Sequence, residues 1–284
     1  MEATQVIENV VNAYKPLPGI KAMALFGSRA RGTASKESDI NLMIVESSFP
    51  TQTSRAQVLS QLCDPGQPTR CSDFPIPADS FHVEDHLVNI WHVNEDLICE
   101  RVAAVVKGRR LESSVLVSVL NDSAILWDPK RQLQAWKTSI NPIPESYTSA
   151  VVPLLFSEVA HILESLGKQS RSRSPFFYHH ELMAALKSLY EIIYLMNGCY
   201  LILTHHVDDE LERLDKVPPN FQRSVKSILL LGSDVVGLSA KHRRISLLAQ
   251  NVGDFLESSG SFNLKAGWVQ LKRAAPFLFE FSQS

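Results

Sequence analysis

The residues with the clearest chemical potential lie in two short groups separated by a polar loop. Gly27 and Ser28 end the apolar run IKAMALFGS, and Asp39 and Asn41 stand at the start of the next run, INLMIVE. Glycine lets the backbone approach a phosphate closely, and a serine hydroxyl donates to phosphate oxygens. Both runs have the length and flanking turn residues of strands, so positions 39 and 41 point to one face. The combination predicts a site for a nucleoside triphosphate.

The loop between the two groups, RARGTASKE, is polar and carries positive charge that offsets phosphate charge. Oxygen ligands at positions i and i+2 of a strand suit magnesium, and two carboxylates there can share two ions. Two such ions clamp the attacking and leaving oxygens of an in-line displacement. The predicted metal ligands are Asp39 and Asn41. The predicted nucleotide-binding residues are Gly27, Ser28, Arg29, Arg31 and Lys36.

This order of strand, Gly-Ser, polar spacer and strand-borne aspartate resembles the signature of the DNA polymerase β-type nucleotidyltransferase superfamily. The pattern there is Gly-Ser, a spacer and Asp-x-Asp, and Gly27, Ser28 and Asp39 match it. The segments AILWDP, LKSLYEIIYLMNGCY and LERLDKVPPNF are similar to the small-molecule branch, which includes antibiotic-modifying enzymes and has a helical C-terminal domain. The resemblance implies that a nucleoside monophosphate moves from a triphosphate such as ATP to a small-molecule hydroxyl, with magnesium.

The sequence departs from that pattern at the acids. Asn41 occupies the second carboxylate position. The superfamily has a third aspartate on a later strand, and in LVNIWHV the matching position is Asn89. The predicted catalytic positions are therefore Asp39, Asn41 and Asn89. Three nearby acids are open alternatives for the third carboxylate: Glu84, Asp85 and Asp96.

Three functions fit these residues. The first is transfer of a nucleoside monophosphate to a small molecule, with metal binding weakened because an amide oxygen brings no charge. The second is a degenerate relative that binds a nucleotide or a partner without turnover. The third is a rebuilt site in which an imidazole acts as base or ligand, for which three histidines lie near the relevant strands. They are His82, His86 and His92.

Composition and length limit the other functional classes and the number of domains. The chain has 284 residues, 45% of them hydrophobic and 20% charged, with a net charge of −2. That charge argues against a protein that coats nucleic acid, and the length favours two domains. Its four scattered cysteines predict reduced thiols in a cytoplasmic protein. The N-terminal MEATQVIENVVNAYK lacks a signal-type apolar region, and we expect no membrane partner. The oligomeric state is not indicated.

The order of patterns predicts an α/β (α+β) nucleotidyltransferase domain over residues 1–140, with a small mixed sheet flanked by helices. FHV and LVNIWHV read as paired strands, and NEDLICERVAAVVKG as a helix capped by Asn94. The Pro-, Ser- and Asp-rich segment CDPGQPTRCSDFPIPADS reads as an irregular loop. Over residues 141–284 only helical periodicity occurs, which predicts an all-α helical bundle.

Overall fold

The computed structural model describes residues 2–48, 51–63, 70–72, 77–170, 175–201, 207–259 and 262–279. The chain divides into two compact units. Unit 1 comprises Met1–Val106 and Leu111–Pro142, and unit 2 comprises Lys107–Arg110 and Ile143–Ser284.

Unit 1 combines one sheet with helices. Its strands in the described residues are β1 (Ile20–Phe26), β2 (Ile40–Glu46), β3 (Arg70–Ser72), β4 (Ala78–Val83), β5 (His86–Asn94) and β6 (Ala124–Trp127). Its helices there are α1 (Ala3–Tyr14), α2 (Gln52–Leu62), α3 (Glu95–Val106), α4 (Val115–Asp122) and α5 (Gln132–Ile140). The strand order is β3-β4-β5-β2-β1-β6. Strands β2 and β5 are parallel and the other neighbours are antiparallel, so the sheet is mixed, as predicted.

The register of β2 against β5 decides which side chains meet. Asn41 pairs with Asn89, and Ile44 pairs with His92. Because side chains alternate along a strand, the two asparagines lie on one face of the sheet and His92 lies on the other. The His92 face is apolar and packs against α1 and α2, forming the core of unit 1.

The segment predicted as an irregular loop contains two strand portions, so that prediction is wrong there. Arg70–Ser72 form β3, and β4 begins at Ala78 rather than at Phe81. Pairing of β4 along β5 overrides the low strand propensity of Asp79 and Ser80. Residues 64–69 and 73–76 of the segment lie outside the described residues. The predicted cap of α3 is confirmed, since the Asp96 amide donates to Asn94 Oδ1 at 2.8 Å.

A cluster of ionisable groups is buried on the core face of the sheet. His92 Nδ1 lies 2.6 Å from Glu46 Oε1, and His92 Nε2 lies 2.8 Å from Asp79 Oδ2. Arg55 Nε lies 3.8 Å from the other Asp79 oxygen, and the Tyr14 hydroxyl donates to Asp79 at 3.5 Å. The side chains of Glu46, His92 and Asp79 are all completely inaccessible to solvent. Both ring nitrogens of His92 face carboxylates, so the imidazole is held as a cation.

These contacts shift the ionisation of the cluster. Burial alone disfavours the imidazolium, but the hydrogen bonds to Asp79 and Glu46 outweigh it and raise the pKa of His92. Burial likewise disfavours the Asp79 carboxylate, yet its hydrogen bond and attraction to His92 lower the pKa of Asp79. The cluster is therefore an ion network that joins strands β2, β4 and β5 to α2.

Unit 2 is helical throughout the described residues. Its helices are α6 (Glu145–Gln169), α7 (Pro175–Met196), α8 (Val207–Leu211), α9 (Phe221–Leu229), α10 (Val235–Ser258) and α11 (Lys265–Ala274), followed by a 3₁₀ turn at Pro276–Leu278. Helix α6 is central and packs against α7, α10 and α11.

Helix α6 also has the length and apolar composition of a membrane span, alone among the helices of the described residues. The sequence had led us to expect no membrane partner. Core helices meet the same two criteria, and 44% of its most apolar stretch is buried inside the protein. Its inward side chains, among them Leu155, Phe156 and Leu163, pack within unit 2. This packing accounts for its apolar character.

Gly253 lets three helices of unit 2 approach closely. A Cβ atom added there would lie 2.6 Å from Trp268 Cη2 on α11 and 2.7 Å from Phe156 Cζ on α6. We expect Gly253→Ala to destabilise the protein by up to about 2 kcal/mol, because an overpacking cost of about 1–3 kcal/mol exceeds the roughly 1 kcal/mol that alanine gains in a helix. Urea denaturation checks this, and Trp268→Leu should lessen the cost in a double-mutant cycle. A Gly253→Ala protein more stable than the parent would contradict the tight packing.

Candidate functional site

The loop after β1 begins with a backbone conformation suited to glycine. Gly27 has φ +78°, and a Cβ there would approach Asn41 Nδ2 to 3.1 Å. Two further bonds close the turn: the Arg31 amide donates to the Gly27 carbonyl at 3.2 Å, and the Thr33 amide donates to the Ser28 carbonyl at 2.9 Å. The sequence Gly-Ser therefore forms a compact turn beside the start of β2.

Arg29 ties this turn to the residues before β2. Its Nε donates to the carbonyls of Ser38 and Asp39, both at 3.1 Å, and its Nη2 donates to Ser38 at 2.5 Å. In the structure its guanidinium therefore holds the backbone at Ser38 and Asp39, and the contact with phosphate stays a prediction. Of the other two predicted cations, Arg31 is half-buried and Lys36 is exposed.

The structure brings together the three positions predicted as catalytic. Asn89 Nδ2 lies 3.3 Å from Asp39 Oδ2 and 3.2 Å from Asn41 Oδ1, and it donates to both. Ser80, on β4, donates to Asn89 Oδ1 at 2.5 Å. All four residues are half-buried. The result is one polar network across β2, β5 and β4, on one face of the sheet and next to Gly27.

Ser80 was missed by the sequence interpretation. Residues 84 and 85 form a tight turn, with Glu84 at φ +50°, and the register that this turn sets pairs Ser80 with Asn89. Two of the alternative acids, Asp85 and Asp96, lie away from the network. Asp85 lies in that turn, about 13 Å along the strand from Asn89 at roughly 3.3 Å per residue, and Asp96 lies beyond the other end of β5.

The donor set does not fit a site for two magnesium ions. Hard divalent cations gain affinity from anionic oxygens, and the network contains one carboxylate, Asp39, with two neutral amides. Throughout the described ranges, no three His, Cys, Asp or Glu side chains are grouped so as to hold a metal. A chemical step that requires two protein-held ions is therefore not supported by these residues.

The histidines do not rebuild the site either. His92 lies on the opposite face of the sheet, bonded to Glu46 and Asp79. His86 opens β5 beside the turn, far along the strand from Asn89. Because side chains alternate along β4, His82 lies on the same face as Ser80. Within the described residues it makes no hydrogen bond to Asp39. The hypothesis of a histidine-based site has no geometric support from His92.

Comparison with known families identifies the fold of this unit. Residues 7–101 match the model of the family described as Polymerase beta, Nucleotidyltransferase. Residues 7–101 of unit 1 therefore carry a polymerase beta-type nucleotidyltransferase domain. The match spans β1, the loop, β2 and β5, so Gly27, Ser28 and Asp39 lie within it. Comparison with curated proteins gives no match.

Several solved structures are similar to this chain. One is a nucleotidyltransferase-like protein from Exiguobacterium sibiricum 255-15, with 13% identity, a TM-score of 0.45 and coverage of 98% of this chain and 79% of that one. Another is a spectinomycin adenyltransferase from Enterococcus faecialis, solved with ATP and spectinomycin, with 14% identity, a TM-score of 0.34 and coverage of 86% and 99%. The Cid1 poly(U) polymerase has 16% identity, a TM-score of 0.27 and coverage of 68% and 48%. These likenesses assign no substrate to the chain.

Proposed function

We propose that this chain binds a nucleoside triphosphate at the Gly27–Ser28 loop and does not transfer its nucleotidyl group at an enzyme-like rate. The observation that carries the proposal is the hydrogen bond between Asn89 and Asn41, with Asp39 as its neighbour. At two positions where the superfamily pattern has acids, this chain has asparagine. The Asn89 amide nitrogen donates to the Asn41 amide oxygen.

The chemistry of transfer explains why this matters. In-line displacement needs charge stabilisation at both the attacking and the leaving oxygen, which two ions supply in two-metal sites. It also needs a base for the attacking hydroxyl, and an amide cannot accept that proton. Asn41 removes one ligand charge, and Asn89 removes the base. Their joint loss affects both requirements of the reaction.

The features that favour binding are retained. Gly27 keeps its left-handed conformation, and Ser28 follows it in a closed turn. Arg31 and Lys36 lie in the same loop and bring positive charge toward an anionic ligand. A phosphate chain needs close backbone approach and donors, and it does not need the missing acids.

A second candidate is an active transferase that moves a nucleoside monophosphate from ATP to the hydroxyl of a small, antibiotic-like molecule in the cytoplasm, with magnesium. Its support is that Asp39 is held by Arg29 next to the Gly27 turn, where a metal-bearing triphosphate would lie. One carboxylate and the phosphates themselves can carry a single magnesium ion. The two candidates differ in whether pyrophosphate is released.

Calorimetric titration with ATP, GTP, CTP and UTP tests the binding site directly. We expect Gly27→Ala to weaken binding at least about tenfold, because the new methyl group meets Asn41 and strains a left-handed residue. Gly32→Ala is the matched control: Gly32 also has positive φ, +71°, but open space around its Cβ position. If both variants lost the same ATP affinity, the effect would come from strain in the loop. The proposal that phosphate binds at Gly27 would then lose its support.

A further inference from the structure

We propose that the indole ring of Trp91 stacks on the base of the bound nucleotide. This inference rests on the proposed nucleotide binding and names the residue that holds the base. It predicts a site that prefers nucleoside triphosphates to bare triphosphate, and purine nucleotides to pyrimidine nucleotides. The position of Trp91 on β5, beside the polar network, is the observation that carries it.

Trp91 lies on the same face of the sheet as the polar network. It follows Asn89 by two residues on β5, so both side chains point to one side. Along the strand the two residues are about 7 Å apart, at roughly 3.3 Å per residue. In the register of β2 against β5, Asn89 pairs with Asn41 and Trp91 pairs with Met43. The indole therefore borders the network directly.

Phe26 links Trp91 to the phosphate loop. It immediately precedes Gly27 and pairs with Asn41 across β1 and β2, which puts its side chain on this same face. The rings of Phe26 and Trp91 have centroids 4.8 Å apart and planes inclined by 50°. Phe26 is 8% exposed, whereas Trp91 is half-buried and keeps accessible surface. A nucleotide with its phosphates at Gly27 thus has an accessible indole within reach of its base.

The two aromatic rings separate a polar part of the face from an apolar part. On one side of Trp91, Met43 and Val45 are fully buried. On the other side lie the half-buried residues of the polar network, Asp39 among them. A nucleobase has an apolar face and polar edges, and it matches this border with its face against the indole and its edges toward the network.

Stacking adds affinity for every base, because each base has a π-face. A purine covers more of an indole than a pyrimidine does, so ATP and GTP should bind more tightly than CTP and UTP. In the part of the chain that the structure describes, the Trp91 indole N–H makes no hydrogen bond. Replacing Trp91 therefore removes the ring surface and leaves no hydrogen-bond partner unsatisfied there.

Calorimetric titration of the full chain with ATP, UTP and inorganic tripolyphosphate, each with excess magnesium, tests the stacking. We expect the wild type to bind ATP about tenfold more tightly than tripolyphosphate, with UTP between them. Trp91→Leu should lose about tenfold in ATP affinity and keep its tripolyphosphate affinity. Trp91→Phe retains an aromatic ring and should lose less.

Trp127→Leu is the matched control, because Trp127 is also half-buried but packs against the core on the opposite face of the sheet. It should leave all three affinities unchanged. Tryptophan fluorescence gives a second readout: ATP should quench the wild type and Trp127→Leu alike, and should quench Trp91→Phe much less. If Trp91→Leu does not fold, this readout decides, and quenching of Trp91→Phe equal to that of wild type contradicts the stacking.

The outcomes separate this inference from the function on which it rests. Equal affinity of the wild type for ATP and tripolyphosphate overturns the stacking and leaves phosphate binding intact. Equal loss of both ligands in Trp91→Leu also overturns it, because Trp91 would then shape the loop and not contact the base. Absence of binding of all three ligands to the wild type overturns the proposed function itself.

Discussion

Replacing His92 with leucine is expected to lower the free energy of unfolding by about 3–5 kcal/mol, because it removes the cation between two buried carboxylates. Glu46 and Asp79 would then be left with Arg55, whose Nε is 3.8 Å from Asp79. Neither carboxylate can reach water, since both side chains are fully buried. Urea denaturation of the full chain, followed by circular dichroism, measures the loss.

His82→Leu is the matched control, because His82 is half-buried on the neighbouring strand β4. We expect it to cost less than about 1 kcal/mol, as surface substitutions do. A cost for His92→Leu as small as that of the control would show that the buried ion network contributes little to folding.

The same cluster gives the effect a defined pH dependence. The pKa of His92 is raised on folding, so its stabilisation is complete below the ordinary histidine value of 6.5 and is lost as pH rises through the higher folded value. The pKa of Asp79 is lowered, so its contribution is present above 3.8 and is lost as pH falls through the lower folded value. The difference in free energy of unfolding between wild type and His92→Leu should therefore be largest between pH 3.8 and pH 6.5. It should decrease as the pH rises above 6.5. Burial lowers the pKa of His242, which also titrates with pH. Because both proteins contain His242, comparing them at the same pH removes its contribution.

Restoring both acids should convert the network into a metal site. In the wild type, Asn89 Nδ2 lies 3.3 Å from Asp39 Oδ2 and 3.2 Å from Asn41 Oδ1. The double variant Asn41→Asp, Asn89→Asp would place the oxygens of three carboxylates at these short separations. Their repulsion should lower the melting temperature in EDTA, and magnesium should raise it again by about 5–10 °C. Magnesium-dependent pyrophosphate release should rise about a hundredfold or more over wild type, since a base and a ligand charge return together.

The control for added charge is Asn12→Asp with Asn251→Asp, two exposed positions outside the network. That protein and the wild type should change by no more than about 1 °C when magnesium is added. If the acidic double variant also failed to respond to magnesium, positions 41 and 89 would not face a common ion. Each single variant should show little activity, because residues that act as a unit are not additive.

The loop and its flanking strands were predictable from sequence because their signals are local. Apolar runs bounded by turn residues gave β1 and β2, and alternation alone put positions 39 and 41 on one face. Asn89 was reached by pattern, and the parallel register opposite Asn41 places it there.

The residues that orient the site depend on contacts distant in sequence. Ser80 meets Asn89 only because the turn at residues 84–85 sets the hairpin register, and a slip of one residue would move Ser80 to the core face. The His92 cluster likewise joins β2, β4 and β5 with α2, and no local pattern reports the parallel register that aligns them. Its charge predicted a contact between Arg29 and phosphate, and no sequence pattern indicated that it also bonds the backbone carbonyls before β2.

We propose that the domain binds a triphosphate and leaves it intact. Phosphorus-31 NMR of the wild-type chain with ATP, magnesium and a mixture of polyhydroxylated small molecules tests it most directly, with the Asn41→Asp, Asn89→Asp protein as the comparison. We predict broadened or shifted ATP resonances from binding and no pyrophosphate signal from the wild type. Release of pyrophosphate in excess of the protein concentration by the wild type would contradict the account.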